Sequence, residues 1–177
     1  VFKGKAVVFE GPEDYHKRIN SKNLKIDENS ILIIRGCGPV GYPGAAEVVN
    51  MQPPDRLLKK GINALPTMGD GRQSGTSESP SILHVSPESA VGGDLAIIKT
   101  GDKMCIDLNK KRVDLLISKS EFIKRRKRKK IPKLNNQTPW QEISRLHVGQ
   151  LEDGACIRTR GLFMDIAEKK GIPRNNH

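Results

Sequence analysis

Two polar, glycine-rich segments hold the residue types that could do chemistry in this sequence. The first, residues 38–44, follows a short apolar run and leads to Glu47. Glycines let backbone N–H groups approach an anion, whereas a carboxylate such as Glu47 can orient a cation. The spacing fits neither a dinucleotide-binding fingerprint nor a P-loop. From spacing alone, the favoured interpretation is a glycine-rich turn followed by a carboxylate at a helix N-terminus.

The second segment, residues 69–80, has almost no apolar side chain. Within nine residues it offers Asp70, Arg72, Gln73, Ser74, Thr76, Ser77 and Glu78. An arginine grips a carboxylate bidentately, and a hydroxyl beside a cation can act as a base or nucleophile. Taken alone, such a loop is more often a solvated turn. A loop this polar between well-patterned elements is nevertheless more often a site than a linker.

Short strands and helices are predicted to position these two segments. Residues 30–35 form a continuous apolar run, typical of a strand buried on both faces, and lead into the first segment. Before them, the pattern predicts a strand at 5–10 and a helix at 13–19. A strand at 63–68 would lead into the polar loop. Both segments are therefore expected to follow the ends of strands.

The remaining pattern adds short helices and a hairpin. Strands at 104–108 and 113–117 are joined by a turn-like sequence. Helices are predicted at 45–51, at 55–60 with Gly61 closing it, at 86–90, from an N-cap at Ser120 to about Lys130, at 140–147 and at 162–170.

Composition favours one soluble domain, or one domain plus a tail. The 177 residues can bury a core without disulfides, and with 4% aromatic residues that core must be largely aliphatic. The chain begins at Val1 without a signal-peptide pattern, so we expect part of a longer, non-membrane polypeptide. Cys37, Cys105 and Cys156 show no paired spacing. They argue against a disulfide framework or a zinc site and indicate a cytoplasmic location.

The positive charge is concentrated in one place. The net charge is +11, and seven of those charges lie in the uninterrupted block 124–130, KRRKRKK. Nucleic acid is one candidate partner, but the block has no interleaved aromatic residues, and a solvated basic helix is the commoner outcome. The four histidines are scattered without helical i, i+4 spacing, which disfavours a histidine metal site.

Several segments, read together, resemble one family. They are GCGPVGYPGAAEVVNMQPP, LPTMGDGRQSGTSESPSILHVSPESAVGGDLAIIKTGD, IDLNKKRVDLLIS, TPWQEI, VGQLEDGAC and GIPRNNH. In order and spacing they are similar to the C-terminal domain of the dihydroxy-acid and sugar-acid (phosphogluconate) dehydratases. Within that family they resemble the branch that acts on pentonates such as arabinonate. The resemblance extends from about residue 2 to residue 177.

The resemblance implies an α/β fold, namely a β-barrel-like swivelling β/β/α domain with a mixed sheet and short flanking helices. A single domain would cover residues 1–177. It would include a basic helix and connector at about 120–139 and a helical C-terminal segment at 140–177. Intact relatives are dimers or tetramers, so a homo-oligomer is expected, without a membrane partner.

The implied activity is that of a hydro-lyase that depends on Mg²⁺ and an iron–sulfur cluster. Such an enzyme removes water from a 2,3-dihydroxy sugar acid and gives a 2-keto-3-deoxy acid. The cluster cysteines and the other magnesium ligands belong to the family's N-terminal domain, which this chain lacks. The chain alone is therefore expected to be inactive, and the missing domain or a separate cluster-bearing subunit would complete it. The pentonate branch favours a [2Fe–2S] cluster.

The resemblance also assigns roles to individual residues. In the family a serine removes the C2 proton, and a serine needs a nearby divalent cation to act as a base. The assignment of a serine base and the assignment of a magnesium ligand are therefore consistent with each other. The residues implied are the catalytic Ser74 and Thr76, the magnesium ligand Glu47, and the substrate-binding residues Arg72, Ser77 and His177.

Two features depart from the family pattern. Glu78 stands where relatives commonly have glycine, and it adds negative charge beside the proposed base. The block 124–130 is more basic than the family's sequences. The alternative function is therefore a non-catalytic basic module that binds nucleic acid on the same fold. Retention of Glu47, Ser74 and Thr76 together favours the enzyme.

Overall fold

The computed structural model describes residues 1–74 and 80–158, and Lys169. Its strands are β1 (Phe2–Phe9), β2 (Ser30–Ile34), β3 (Thr67–Gly69), β4 (Ser81–Ile82), β5 (Lys103–Asp107) and β6 (Arg112–Leu115). Its α-helices are α1 (Pro12–Arg18), α2 (Asp55–Leu58), α3 (Lys119–Arg128) and α4 (Pro139–His147). Short 3₁₀ helices occur at Lys22–Leu24, Ser89–Val91, Asp94–Ile97 and Leu151–Asp153. In this part of the chain, no helix is long and apolar enough to cross a membrane.

One mixed sheet organises the chain, in the order β4-β3-β2-β1-β5-β6. Strands β1 to β4 run parallel to one another. Strand β5 runs antiparallel to β1 and forms a hairpin with β6. The predicted α/β class, mixed sheet and hairpin are confirmed.

The two central strands bury side chains on both faces of the sheet. All five residues of β2 are buried, as the continuous apolar run predicted. Successive side chains of a strand point to opposite faces, so the side chains of β1 and β2 divide between two clusters. In each cluster, a fully buried aliphatic side chain stabilises the fold by about 1.5–3 kcal/mol. The first cluster takes Val7, Phe9, Leu32 and Ile34, and the second takes Ala6, Val8, Ile31 and Ile33.

The sheet curls towards the second cluster, like half of a barrel. Ile82 of edge strand β4 and Leu115 of edge strand β6 both pack against that cluster. Phe2, Ile82 and Ile106, from three different strands, line one cavity of about 320 Å³. Among the described residues β4 and β6 do not pair, so the sheet stays open at those edges.

The predicted helix at 45–51 is wrong. Gly44 and Ala45 have φ angles of 94° and 48°, which place two successive residues in the left-handed region and prevent a right-handed helix from starting. The next residues bond to the neighbouring loop instead: Ala46 O accepts from Arg72 N, and Val49 N donates to Arg72 O.

Other boundaries shift by a few residues. Ser118, not Ser120, caps α3, because its Oγ accepts a hydrogen bond from Glu121 N. The third strand begins at Thr67, and the helix predicted at 86–90 is the 3₁₀ helix Ser89–Val91. The helices predicted at 55–60 and 140–147 are present as α2 and α4. The predicted helix at 162–170 lies outside the described residues, Lys169 excepted.

Helix α3 is tied to the sheet by one arginine of the basic block. Arg125 donates to both carboxylate oxygens of Asp102 at 2.5 and 3.0 Å, to Glu121 Oε1 at 2.8 Å and to Ile97 O at 3.2 Å. The bonds to Asp102, then to Glu121, raise the pKa of Arg125. The Arg125 and Asp102 side chains are only 12% and 10% exposed, so either charge left alone would be poorly solvated.

Replacing Arg125 by alanine should therefore lower the free energy of unfolding by about 3 kcal/mol, because Asp102 would remain as a poorly solvated charge without a cationic partner. The matched change Lys127→Ala, at an exposed position of the same helix, should cost less than about 0.5 kcal/mol. Urea denaturation of both variants measures the difference. Equal stabilities would show that Arg125 does not anchor the helix.

Candidate active site

The two glycine-rich segments meet at one edge of the sheet. Strands β2 and β3 are parallel neighbours with Ile34 opposite Gly69, so the chain leaves both strands at the same edge. Residues 36–44 follow β2, and the polar loop that starts at Asp70 follows β3. Ligands of parallel sheets bind outside the carboxyl ends of the strands. The predicted position of both segments at strand ends is confirmed.

Asp70 fastens the beginnings of these loops together. Its side chain is fully buried. Oδ1 accepts from Cys37 N at 2.9 Å, and Oδ2 accepts from Gly36 N at 3.1 Å, Ser89 N at 2.9 Å and Ser89 Oγ at 2.6 Å. Backbone amides take the place of a cationic partner, and hydrogen bonds to an ionised acceptor are about twice as strong as neutral ones. Three chain segments are thereby joined at one carboxylate.

Glu88 holds the middle of the first loop in the same way. It is fully buried. Oε1 accepts from Val40 N at 2.9 Å and Gln150 Nε2 at 2.8 Å, while Oε2 accepts from Gly41 N at 2.8 Å. A Cβ added at Gly38 would lie 2.5 Å from Glu88 Oε2. The glycine is therefore needed for the carboxylate to reach the loop.

Helix α4 packs against the other side of the same loop. Arg145 Nε donates to Val40 O at 2.9 Å, and its NH1 donates to Asn135 O at 2.9 Å. A cavity of about 320 Å³ lies between the first loop and the α4 region, and Arg72 and Ser144 are among its lining residues. This cavity is where a small molecule could meet the polar loop.

Glu47 and Arg72 come together beside this cavity. Their backbones form an isolated parallel bridge, and Arg72 NH1 lies 3.8 Å from Glu47 Oε1. Arg72 Nε also donates to Ala45 O at 2.5 Å, which orients the guanidinium group. The two side chains are 49% and 51% exposed, so both can reach a ligand. Glu47 lies on an extended segment rather than at the predicted helix N-terminus.

Ser74 follows Arg72 by two residues and is partly buried. The other predicted site residues, Thr76, Ser77 and His177, lie outside the described residues, as does Glu78. The structure thus places Glu47 beside Arg72, and the roles assigned to all six residues stay predictions.

The chemistry of Glu47 suits one ligand of a magnesium site. A half-exposed carboxylate is a hard oxygen donor, and Mg²⁺ sites often use only one or two protein carboxylates. Within residues 1–74 and 80–158, no group of three or more His, Cys, Asp or Glu side chains could hold a metal on its own. Further ligands would have to come from elsewhere.

The described residues do not suit an iron–sulfur cluster. Cys37 is buried, and this burial, followed by the nearby Asp70 carboxylate, raises the pKa of its thiol. A protonated thiol is a poor metal ligand. Cys105 and Cys156 complete no ligand set with it in the described part of the chain.

Sequence reasoning missed the residues that hold the site. Glu88, Ser89, Arg145 and Gln150 lie far along the chain from the two loops, and no spacing rule connects them. The one usable signal was Asp70, the first residue after β3 and part of the polar loop. A carboxylate that is bonded mainly to backbone amides has no charged partner that a sequence pattern could reveal.

The change Glu88→Gln should lower the free energy of unfolding by about 2–3 kcal/mol, because glutamine has one acceptor oxygen where three donors converge. Amide exchange at Val40 and Gly41 should quicken with it. The same substitution at exposed Glu28 is the control and should have almost no effect on either measurement. Unchanged exchange at Val40 and Gly41 would contradict the proposed role of Glu88.

Comparison with known proteins identifies the family. The model of the dihydroxy-acid/6-phosphogluconate dehydratase C-terminal family matches residues 1–155. D-xylonate dehydratase of Caulobacter vibrioides is 56% identical over all of this chain and 29% of its own length. L-arabinonate dehydratase of Rhizobium leguminosarum bv. trifolii is 50% identical over 71% of the chain and 22% of its own.

A more distant relative is dihydroxy-acid dehydratase of Thermodesulfovibrio yellowstonii, 43% identical over 88% of the chain and 28% of its own length. The chain therefore spans less than a third of the length of these relatives. The resemblance seen in the sequence, including its pentonate branch, is confirmed. The chain belongs to the C-terminal domain family of the dihydroxy-acid and sugar-acid dehydratases.

Proposed function

We propose that this chain is the part of a hydro-lyase that presents Glu47, Arg72 and Ser74 to a 2,3-dihydroxy sugar acid. The reaction removes the C2 proton and the C3 hydroxyl as water, and the resulting enol becomes a 2-keto-3-deoxy acid. The observation that carries this proposal is the pairing of Glu47 with Arg72 across the loops that follow β2 and β3. Membership of a dehydratase family supports it.

The substrate class follows from the relatives and from Arg72. Two of the relatives are named for D-xylonate and L-arabinonate, which are five-carbon sugar acids. The bond from Arg72 Nε to Ala45 O fixes the plane of the guanidinium group beside the cavity. A fixed guanidinium suits bidentate recognition of a carboxylate. Arg72 would therefore hold the acid group of a pentonate.

Glu47 would supply one oxygen ligand to Mg²⁺. When bound, the ion supplies positive charge that stabilises negative charge on the substrate oxygens and on a nearby hydroxyl. Glu47 also balances the charge of Arg72, so the site can accept both an anion and a cation. The described residues offer no cluster ligands, and the reaction at C3 therefore depends on groups outside them.

Ser74 would take the proton from C2. An unassisted serine hydroxyl holds its own proton too strongly for this role, so Ser74 needs a cation nearby, and Glu47 would bring one. Its position two residues after Arg72 lets one loop bind the acid group and act on the adjacent carbon. Thr76 is the second catalytic hydroxyl in this proposal, and Ser77 and His177 are further substrate contacts.

The catalytic site is completed elsewhere. The chain covers less than a third of its relatives, and Glu47 alone cannot hold Mg²⁺. We infer that another domain or subunit supplies an iron–sulfur cluster, for which [2Fe–2S] is favoured, and the remaining magnesium ligands, within a homo-oligomer. The free cysteines suit a reducing compartment such as the cytoplasm.

The alternative, a nucleic-acid-binding module, draws less support from the basic block. Arg125 pairs with Asp102 and Glu121, Arg126 pairs with Asp94 at 3.0 Å, and Lys129 donates to the backbone oxygen of Gly92. These contacts engage three of the seven cations within the domain.

The test is anaerobic dehydration of D-xylonate, L-arabinonate and other aldonates by the complete protein, scored as 2-keto-3-deoxy acid. Ser74→Ala should lower kcat by about a thousandfold while the Mg²⁺ requirement stays the same, because only the base is lost. Glu47→Gln should instead raise the Mg²⁺ concentration needed for half-maximal activity. Glu28→Gln, an exposed carboxylate change, should match the unaltered enzyme.

The two substitutions separate the two roles. Full activity in Ser74→Ala would reject Ser74 as the base. An unchanged Mg²⁺ requirement in Glu47→Gln would reject Glu47 as a metal ligand. Absence of dehydration with every aldonate would reject the proposed substrate class.

A further inference from the structure

A second concave surface lies away from the loops of the candidate active site. Helix α3 and residues 96–99 enclose a groove of about 450 Å³. Among the described residues, none that lines this groove also lines the cavity beside Arg72. Its floor is apolar, from Ala96, Ile97 and Ile98. The cations that line its walls are Lys99, Lys124, Arg128, Lys129 and Lys130, together with Arg35 and Arg125.

Internal partners neutralise two of these cations. Arg125 is held by Asp102 and Glu121. Arg35 is bound by Glu10, and its NH1 also donates to the carbonyl oxygens of Leu95 and Ile98 at 2.9 Å. These bonds fix the groove walls without using any other positive charge. The scaffold of the groove is therefore preorganised.

The other cations lack a carboxylate partner in the described part of the chain. The charged side-chain nitrogens of Lys99, Lys124, Arg128 and Lys130 have no Asp or Glu oxygen there within 4.0 Å. The bond from Arg125, and also the charges of Lys124 and Lys99, lower the pKa of Glu121. The positive charges of both lysines thus act on the carboxylate of Glu121. Like charges around a concave space raise its positive potential and concentrate anions there.

We propose that this groove binds a compact anion with several negative charges, specifically a di- or triphosphate group. Ammonium and guanidinium groups on facing walls can each bond to a different phosphate oxygen, whereas a single carboxylate would satisfy only one or two of them. Of the described residues, no aromatic side chain lines the groove, so they offer no stacking surface for the bases of a nucleic acid. The site is separate from the candidate active site, and its ligand would not compete with the sugar acid.

The test is calorimetric titration of the complete protein with tripolyphosphate and, separately, with ATP at about 0.1 M salt. The triple variant Lys124→Gln, Arg128→Gln, Lys130→Gln should bind tripolyphosphate at least about tenfold more weakly. The control variant Lys22→Gln, Lys59→Gln, Lys60→Gln removes the same charge from exposed positions elsewhere and should bind within about twofold of the unaltered protein. Both variants should unfold at the temperature of the unaltered protein, because Arg125 is retained.

Equal affinity for tripolyphosphate and ATP would assign the groove to the phosphate chain itself, and tighter binding of ATP would indicate a nucleotide as its source. Either result supports the proposal. No binding, or equal weakening in both variants, would overturn it, because the attraction would then come from net charge alone. Tighter binding of a single-stranded oligonucleotide than of tripolyphosphate, lost in the groove variant, would overturn it in favour of nucleic acid.

Discussion

The candidate active site depends on two buried carboxylates that are satisfied mainly by backbone amides. Asp70 accepts hydrogen bonds from the first residues after β2, and Glu88 accepts them from the middle of the same loop. No lysine or arginine of the described residues pairs with either group. A buried charge is tolerated only when its hydrogen bonds are made, so each carboxylate requires the loop to keep one conformation.

This constraint explains why glycines and the proposed ligand-binding residues occur together at this edge of the sheet. Gly38 leaves room for Glu88, while Gly44 gives the positive φ that turns the chain away from a helix. The chain then runs beside the polar loop and brings Glu47 to Arg72. The two carboxylates that hold the loops are buried, whereas the side chains of Glu47 and Arg72 are half exposed. The residues that fix the loops are thus different from those that we propose to bind a ligand.

Local patterns predicted much of the fold, because buried strands have a recognisable pattern of apolar residues in the sequence. The continuous apolar run of β2 and the hairpin of β5 and β6 are where the sequence predicted them. The helix predicted at 45–51 does not form, although its apolar spacing is that of a helix, because Gly44 and Ala45 have positive φ angles. Glu88 could not be foreseen, because its partners at residues 40, 41 and 150 are distant in sequence and its bonds are mostly to main-chain groups.

The most direct test of the central claim is a crystal structure of the complete protein with Mg²⁺ and a bound pentonate. The account predicts a Glu47 carboxylate oxygen at about 2.1 Å from the metal, the substrate carboxylate on Arg72 and the Ser74 hydroxyl beside C2. It also predicts that the bonds of Asp70 and Glu88 to the first loop are unchanged. A metal bound without Glu47, or a substrate remote from Ser74, would contradict the account.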